Sequence, residues 1–130
     1  GIEGTQMSKL LIKTGSTETF FKRGRELARK ADGGAVIHEE KIISFEDPSD
    51  LVRLMTDARL AVFREVKQSA GSITEIAERL HRDRSAVKRD IDALARAGLL
   101  VVQDRILPGH GRMKWVNAVA QRLTLRAELI

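Results

Sequence analysis

The sequence predicts a chain of the α+β class. Short apolar stretches rich in β-branched residues lie near both ends of its 130 residues, and such stretches are typical of strands. The middle of the chain instead carries apolar residues three and four positions apart, which is the spacing of amphipathic helices. Strands and helices segregated in this way indicate an α+β fold, and the length suits about one domain.

The composition excludes several classes of protein. Hydrophobic residues make up 42% and charged residues 32% of the chain, so we expect neither a disordered nor a membrane-embedded protein. No apolar run approaches the roughly 20 residues of a membrane span, nothing resembles a signal peptide, and a cytoplasmic protein is expected. Because the chain has no cysteine, disulfides and cysteine-ligated zinc are excluded. The formal net charge of +5 favours an anionic partner.

Residues 7–47 predict a strand–helix–strand extension, which we expect to act as a dimerisation or partner-binding unit. Residues 1–6, ahead of Met7, have the character of a cloning remnant. The predicted elements are a strand at Lys9–Lys13, a helix from Thr17 that Asp32-Gly33-Gly34 ends, and a strand at Ala35–Phe45. His38–Lys41 interrupts the second strand, which predicts a bulge or a tight turn there.

Residues 48–130 predict a group of helices, a hairpin and a C-terminal strand. Asp47-Pro48-Ser49 begins a helical region, Thr56-Asp57 can cap a second helix, and Gly71 closes this part of the chain. Near the C-terminus, apolar and polar residues alternate over Leu123–Leu129. This period of two predicts a half-buried strand.

Ser72-Ile73-Thr74-Glu75 fits a capping box, in which the Ser72 hydroxyl and the Glu75 carboxylate satisfy opposite free amides. The helix that it opens ends at a short break, His81-Arg82-Asp83, and Asp83 suits the N-cap of a following helix. That second helix is predicted to run from about Arg84 to Ala97, with Gly98 in the position after its end. Two helices joined by so short a turn indicate a helix-turn-helix, with the small Ala77 at their close approach.

The second helix has two opposite faces. At about 100° per residue, one arc of about 100° holds Ser85, Lys88, Arg89, Asp92 and Arg96, while Val87, Ile91 and Leu94 lie on the other side. An α-helix fits the major groove of DNA, where Lys and Arg meet guanine edges or phosphates. The excess of basic residues also lies in this half of the chain, since residues 72–130 carry eleven basic and seven acidic residues. Asp92 is expected to pair with Lys88 or Arg96, or to accept a hydrogen bond from cytosine.

A β-hairpin is predicted directly after the second helix. Leu99–Val102 and Met113–Val116 form its strands, and Leu107–Arg112 supplies the turn residues. A hairpin in this position is the wing of a winged helix-turn-helix, and its tip carries His110, Arg112 and Lys114, which suit phosphate or minor-groove contacts. Trp115 is expected to pack against the domain or at a dimer contact.

The segment from Ile73 to Val116 resembles the winged helix-turn-helix of the MarR-like predicted transcriptional regulators of bacteria and archaea. The matching residues are Ile76-Ala77-Glu78-Arg79-Leu80, Ser85-Ala86-Val87, Asp90-Ile91, Leu94 and Ala97-Gly98-Leu99-Leu100. The layout is similar to a subgroup with an N-terminal strand–helix–strand extension and a final strand. The resemblance implies a prokaryotic, nucleoid-associated regulator, and an antitoxin-like member would also bind a partner protein through its N-terminal half.

The sequence therefore predicts a sequence-specific regulator that binds double-stranded DNA as a homodimer. The residues expected to contact DNA are Arg82, Arg84, Ser85, Lys88, Arg89, Arg96, His110, Arg112 and Lys114. Two alternatives are an antitoxin-like regulator that also binds a toxin or other protein, and a winged-helix protein-interaction module with no DNA role. The histidines are far apart and no nucleophile motif occurs, so we expect no enzyme, no cofactor and no metal site.

Overall fold

A computed structural model of the chain describes residues 28–30, 36–109 and 111–129. Helices and strands alternate in blocks along these residues, as the α+β prediction requires. The strands are β1 (Ala28–Lys30), β2 (Val36–Phe45), β3 (Gly71–Ser72), β4 (Leu100–Leu107), β5 (Gly111–Ala118) and β6 (Ala120–Ala127). The helices are α1 (Pro48–Leu54), α2 (Asp57–Gln68), α3 (Ile73–Leu80) and α4 (Arg84–Arg96).

The described strands form two sheets, ordered β1-β2-β6 and β3-β5-β4. In the first sheet, β2 pairs antiparallel with β1 and parallel with β6, so that Glu40 lies opposite Arg122. In the second sheet, β5 pairs antiparallel with both β3 and β4. Only Val119 separates β5 from β6. Its N–H donates to the Leu99 carbonyl and its carbonyl accepts from the His38 N–H, both at 3.0 Å, so this residue joins the two sheets.

The core lies between the helices and the inner faces of both sheets. The helices contribute the buried residues Val62, Val66, Ile73, Ile76, Ala77, Val87, Ile91 and Leu94. The strands and the residue after the end of α4 contribute Ile43, Phe45, Leu99, Leu100 and Val116. Leu123 and Leu125 of β6 are half-buried against the same cluster. Gly71 lies close to two side chains: a Cβ there would approach Arg79 Nη2 and lie 2.8 Å from Glu75 Oε1, so both side chains would have to shift.

The helix-turn-helix is confirmed with its predicted caps. Both hydrogen bonds of the capping box are present, with Ser72 Oγ accepting from the Glu75 N–H at 3.1 Å and Glu75 Oε1 accepting from the Ser72 N–H at 3.1 Å. Helix α3 ends at His81 in the left-handed region, φ 56°. Asp83 caps α4, and Gly98 follows its end at φ 91°. Thr56 and Asp47 likewise cap α2 and α1.

The hairpin is also confirmed, and it is longer than its apolar residues indicated. Strands β4 and β5 pair from Leu100 with Ala118 out to Leu107 with Gly111. Together with β3 and the helix-turn-helix, this hairpin makes the second half of the chain a winged helix-turn-helix in an α+β fold. The predicted C-terminal strand is confirmed as β6, which begins at Ala120 and ends at Ala127 rather than at Leu129.

Two expectations for the N-terminal part were wrong. Ala28–Lys30, predicted as the end of a helix, is strand β1, because pairing with the long edge of β2 outweighs the high intrinsic helix propensity of Ala, Arg and Lys. His38–Lys41 does not interrupt β2, which runs unbroken with a constant register against β6. The four residues continue the pleat and so alternate between the two faces of the sheet: Glu39 and Glu40 are exposed on opposite faces, while Lys41 is buried.

Several other expectations lie outside the described residues. They are the remnant at residues 1–6, the strand at Lys9–Lys13, the helix from Thr17 as far as Leu27, and its stop at Asp32-Gly33-Gly34. The predicted domain boundary at residue 47 would assign β2 and β6 to different units. In the structure β2 pairs with β6, and Ile43 and Phe45 of β2 lie in the core. None of the described helices is long and apolar enough to cross a membrane.

Candidate nucleic-acid interface

Helix α4 turns its polar arc outward. Val87, Ile91 and Leu94 are fully buried in the core, and this fixes the rotation of the helix. Its exposed side therefore presents the predicted residues Ser85, Lys88, Arg89 and Arg96, with Asp92 among them. The 13 residues of α4 give a rod about 20 Å long, which is enough to cross the floor of a major groove.

The N-terminus of α4 is organised around Asp83. Asp83 Oδ2 accepts hydrogen bonds from the Ser85 hydroxyl at 2.5 Å, the Ser85 N–H at 3.1 Å and the Ala86 N–H at 3.3 Å. The Ser85 hydroxyl, then the Ala86 amide, hold the pKa of Asp83 below its usual value. Since the Ser85 proton already points at this carboxylate, the hydroxyl oxygen is left as an acceptor, which suits an amino group on a base edge.

The basic residues of α4 differ in whether their side chains already have a partner in the described part of the protein. Lys88 Nζ lies 2.8 Å from Asp92 Oδ2 in a pair whose side chains are about half exposed. This is one of the two pairings expected for Asp92. Arg89 and Arg96 are exposed, and neither donates a hydrogen bond to the part of the chain that the structure describes. Their guanidinium groups are therefore the ones best placed for a bidentate contact with guanine.

Arg82 is engaged within the protein. Its Nη2 donates to Asp90 Oδ2 at 3.0 Å, while Arg59 Nε donates to Asp90 Oδ1 at 3.2 Å. The side chains of Arg82 and Asp90 are 29% and 14% exposed. Arg82 Nη1 is buried and has no partner among the described atoms. Arg82 was predicted to contact phosphates. In the structure its hydrogen bond with Asp90 also links the turn to α4 and, through the shared carboxylate, to Arg59 of α2.

Sequence reasoning missed Arg59 and Asp90 as members of this cluster. They are 31 residues apart in the chain, so no local spacing links them. Arg59 Nη1 also donates to the Arg53 and Leu54 carbonyls at the end of α1, at 3.3 and 3.2 Å. Arg59, Arg82 and Asp90, here called the Asp90 cluster, thus hold α1, α2, the turn and α4 together.

Arg84 is exposed at the first position of α4, and its Nε donates to Thr74 Oγ1 at 2.9 Å. This contact joins the starts of α3 and α4. Backbone amides and side chains at such helix starts are common phosphate contacts in helix-turn-helix proteins. Its place is consistent with the predicted role.

The wing presents Arg112 and Lys114 on the same hairpin face as Val102 and Val116, since the facing pairs are Val102–Val116, Asp104–Lys114 and Ile106–Arg112. Val116 packs in the core, so this is the face that looks toward the helices. Lys114 Nζ lies 2.9 Å from Asp104 Oδ1. The hydrogen bond from Lys114, and then the charges of Lys114 and Arg112, hold the pKa of Asp104 below its usual value. His110 lies outside the described residues.

The other face of the wing carries a stacked pair that sequence reasoning did not anticipate. The Arg105 guanidinium lies 4.0 Å from the centroid of the Trp115 ring, and Trp115 lies opposite Ser72 of β3 and Gln103 of β4. Trp115 therefore packs within its own sheet, which is the first of the two expectations for it. Within the described part of the chain, no group of three or more His, Asp or Glu is arranged to hold a metal ion.

These features define the class of the protein, a winged helix-turn-helix protein in which α4 and the wing both expose basic residues. The family model of HVO_A0114 matches residues 54–118, half of the chain, and the chain belongs to this family. A solved structure that it resembles is a possible transcriptional regulator from Methanosarcina mazei Go1, at 20% identity and a TM-score of 0.48 over 57% of this chain and 67% of that one. No curated protein sequence matches the chain.

Proposed function

We propose that this protein is a sequence-specific transcriptional regulator that binds double-stranded DNA. The observation that carries the proposal is the outward face of α4, where Lys88, Arg89 and Arg96 are exposed opposite three fully buried apolar residues. A helix presented in this way by a helix-turn-helix fits the major groove. The net charge of +5 adds a general attraction to the phosphate backbone.

Contacts with DNA divide into two groups under this proposal. Ser85, Lys88 and Arg89 read base edges, and Arg96 extends the same face toward the end of α4. The residues assigned mainly to phosphates are Arg82, Arg84, His110, Arg112 and Lys114. Phosphate contacts fix the position of the protein, while base contacts select the sequence. The wing meets the backbone or the minor groove beside the groove that α4 enters.

We propose in addition that the regulator is MarR-like and works as a homodimer in the cytoplasm, at the nucleoid, with no enzymatic activity and no cofactor. The argument for two copies is numerical. One unit offers about three base-reading side chains, too few to select one site among about 10⁶ or more genomic positions. An antitoxin-like role, with a protein partner on the N-terminal half, is compatible with the same DNA-binding surface.

The test is selection of bound sites from random duplex DNA, followed by binding titrations of three variants. We expect Arg89→Ala to cost about 1–3 kcal/mol on the selected site and to relax the sequence preference. Arg112→Ala should weaken binding to all duplexes alike, because it removes a phosphate contact. Arg122→Ala is the matched control: Arg122 is exposed on β6 and pairs with Glu40 at 3.0 Å, on a sheet that contributes none of the residues assigned to DNA.

Recovery of an inverted repeat would establish both the function and the twofold symmetry. If Arg89→Ala and Arg112→Ala bind like the wild-type protein, the assigned surface is wrong. If the wild-type protein binds no duplex at low salt, the proposal fails, and the winged-helix protein-interaction module becomes the better reading.

A further inference from the structure

The surface assigned to DNA is not uniformly basic. Asp92 lies on the outward face of α4 and Asp104 on the face of the wing that carries Arg112 and Lys114. Each carboxylate pairs with a lysine assigned to DNA: Asp92 with Lys88 at 2.8 Å, and Asp104 with Lys114 at 2.9 Å. Both lysines of the interface are thus neutralised by the protein itself in its free state.

We propose that Asp92 and Asp104 are affinity-limiting residues, each of which competes with DNA for the lysine that it holds. The inference rests on the proposed function, since it concerns the same surface. It assigns to Asp104 the task of weakening the phosphate contact of Lys114, and to Asp92 the task of weakening the contact of Lys88 in the groove. Base recognition by Arg89 then decides where the protein stays bound.

The distances make the competition direct. A phosphate that reaches Lys114 Nζ comes within a few ångströms of Asp104 Oδ1, because these two atoms are 2.9 Å apart. The phosphate is attracted by one charge and repelled by the other, and the two effects largely cancel. Nonspecific binding consists almost entirely of phosphate contacts, so it loses most from this cancellation.

The exposure of the two pairs makes the competition reversible. All four side chains are about half exposed, and ion pairs at such positions are weak. Each lysine can therefore leave its carboxylate when a phosphate approaches. The low pKa of Asp104 agrees with a carboxylate that keeps its charge throughout the physiological range.

The experiment measures binding of the full chain to a mixed-sequence duplex of about 25 base pairs at two salt concentrations. Asp104→Asn and Asp92→Ala each remove one negative charge from the interface. Glu40→Gln is the matched control, since it makes the same change of charge and breaks an exposed pair, Glu40 with Arg122 at 3.0 Å, on the β1-β2-β6 sheet. Thermal unfolding of each variant verifies that it is folded.

We expect Asp104→Asn and Asp92→Ala to bind about five- to tenfold more tightly than the wild-type protein at 50 mM salt. The gain should shrink to about twofold or less at 300 mM salt, where screening weakens the repulsion. Glu40→Gln should stay within about twofold of wild type. Combined with Lys114→Gln, the Asp104→Asn change should produce a smaller gain, because the lysine that it releases is gone.

Two results would overturn the inference while leaving DNA binding intact. In the first, Asp104→Asn and Asp92→Ala gain no more affinity than Glu40→Gln. In the second, either variant binds the mixed duplex more weakly, which would make the carboxylate a direct contributor to binding. A wild-type protein that binds no duplex at 50 mM salt would overturn the proposed function, and the inference with it.

Discussion

At the scale of single residues, the Asp90 cluster is the feature that links α4 to α2 and to the turn before α4. One carboxylate accepts hydrogen bonds from Arg59 on α2 and from Arg82 in the turn. Both arginines are more than two-thirds buried. Charges withdrawn from water to this extent stabilise a structure only while every partner is present.

Asp90→Ala should therefore destabilise the fold. It leaves two part-buried guanidinium groups without their common acceptor, and we expect a loss of about 2–3 kcal/mol in the free energy of unfolding, somewhat below the cost for a fully buried pair. Urea unfolding followed by circular dichroism measures it. Glu40→Ala is the control, because its exposed pair with Arg122 should contribute less than about 1 kcal/mol. Equal losses in the two variants would contradict the role given to Asp90.

At the scale of elements, helix α4 begins at a charged N-cap residue, Asp83, whose carboxylate accepts hydrogen bonds from the first amides of the helix. The pKa of Asp83 is held down by the Ser85 hydroxyl and the Ala86 amide, so the folded state favours the ionised carboxylate. A group whose pKa is lowered on folding stabilises the protein above its unfolded pKa, and this stabilisation disappears as the pH falls through the folded pKa. The ordinary pKa of an Asp carboxyl, which applies to the unfolded chain, is 3.8.

Asp83→Asn tests this cap by its pH dependence. The amide still accepts hydrogen bonds but carries no charge, so the wild-type protein should be the more stable of the two above about pH 4. The difference between their thermal midpoints should be constant from pH 5 to 7 and should close as the pH falls below 3.8. The comparison subtracts the contributions of Asp47 and Asp104, whose pKa values are lowered too. A difference that does not change with pH would show that the charge of Asp83 contributes nothing.

The elements also show how far the sequence determines the fold. The caps at Thr56, Ser72 and Asp83 depend on residues two or three positions away, so they could be predicted from local spacing. Strand β1 could not be, because its three residues form a strand only through pairing with β2. The candidate interface also divides into a local and a nonlocal part. The outward face of α4 could be predicted from the helical spacing of its residues, whereas the Arg59–Asp90 contact depends on how α2 and α4 pack together.

At the scale of the whole molecule, the apolar residues of β6 bear on how two copies would associate. Three segments have apolar residues beyond those that a winged core requires, and the sequence favours them as dimer surfaces: the strand at Lys9–Lys13, the helix with Phe20 and Phe21, and the strand at Leu123–Leu129. Leu123 and Leu125 of the third segment are half-buried against the core of their own chain. Leu129, beyond the end of β6, is 86% exposed. The other two candidate surfaces, Lys9–Lys13 and the helix with Phe20 and Phe21, lie outside the described residues.

We expect sedimentation at micromolar concentration to give a homodimer, both free and on DNA. With about four phosphate contacts per protomer, the logarithm of the binding constant should fall with the logarithm of salt concentration at a slope of roughly −7. Half-sites should lie about one helical turn apart. A monomer in both states, with a slope nearer −3, would contradict the dimer and leave the winged-helix fold unaffected.

The two backbone hydrogen bonds of Val119 have a consequence for how the protein unfolds. Val119 donates to the Leu99 carbonyl, just beyond α4, and accepts from the His38 N–H of β2, and it is almost fully buried. The two hydrogen bonds lie on adjacent peptide groups of one residue, so a displacement of Val119 that breaks one of them disturbs the other. We therefore expect α4, the wing and the β1-β2-β6 sheet to unfold in one cooperative transition, and the Val119 amide to exchange its hydrogen with solvent only in that transition.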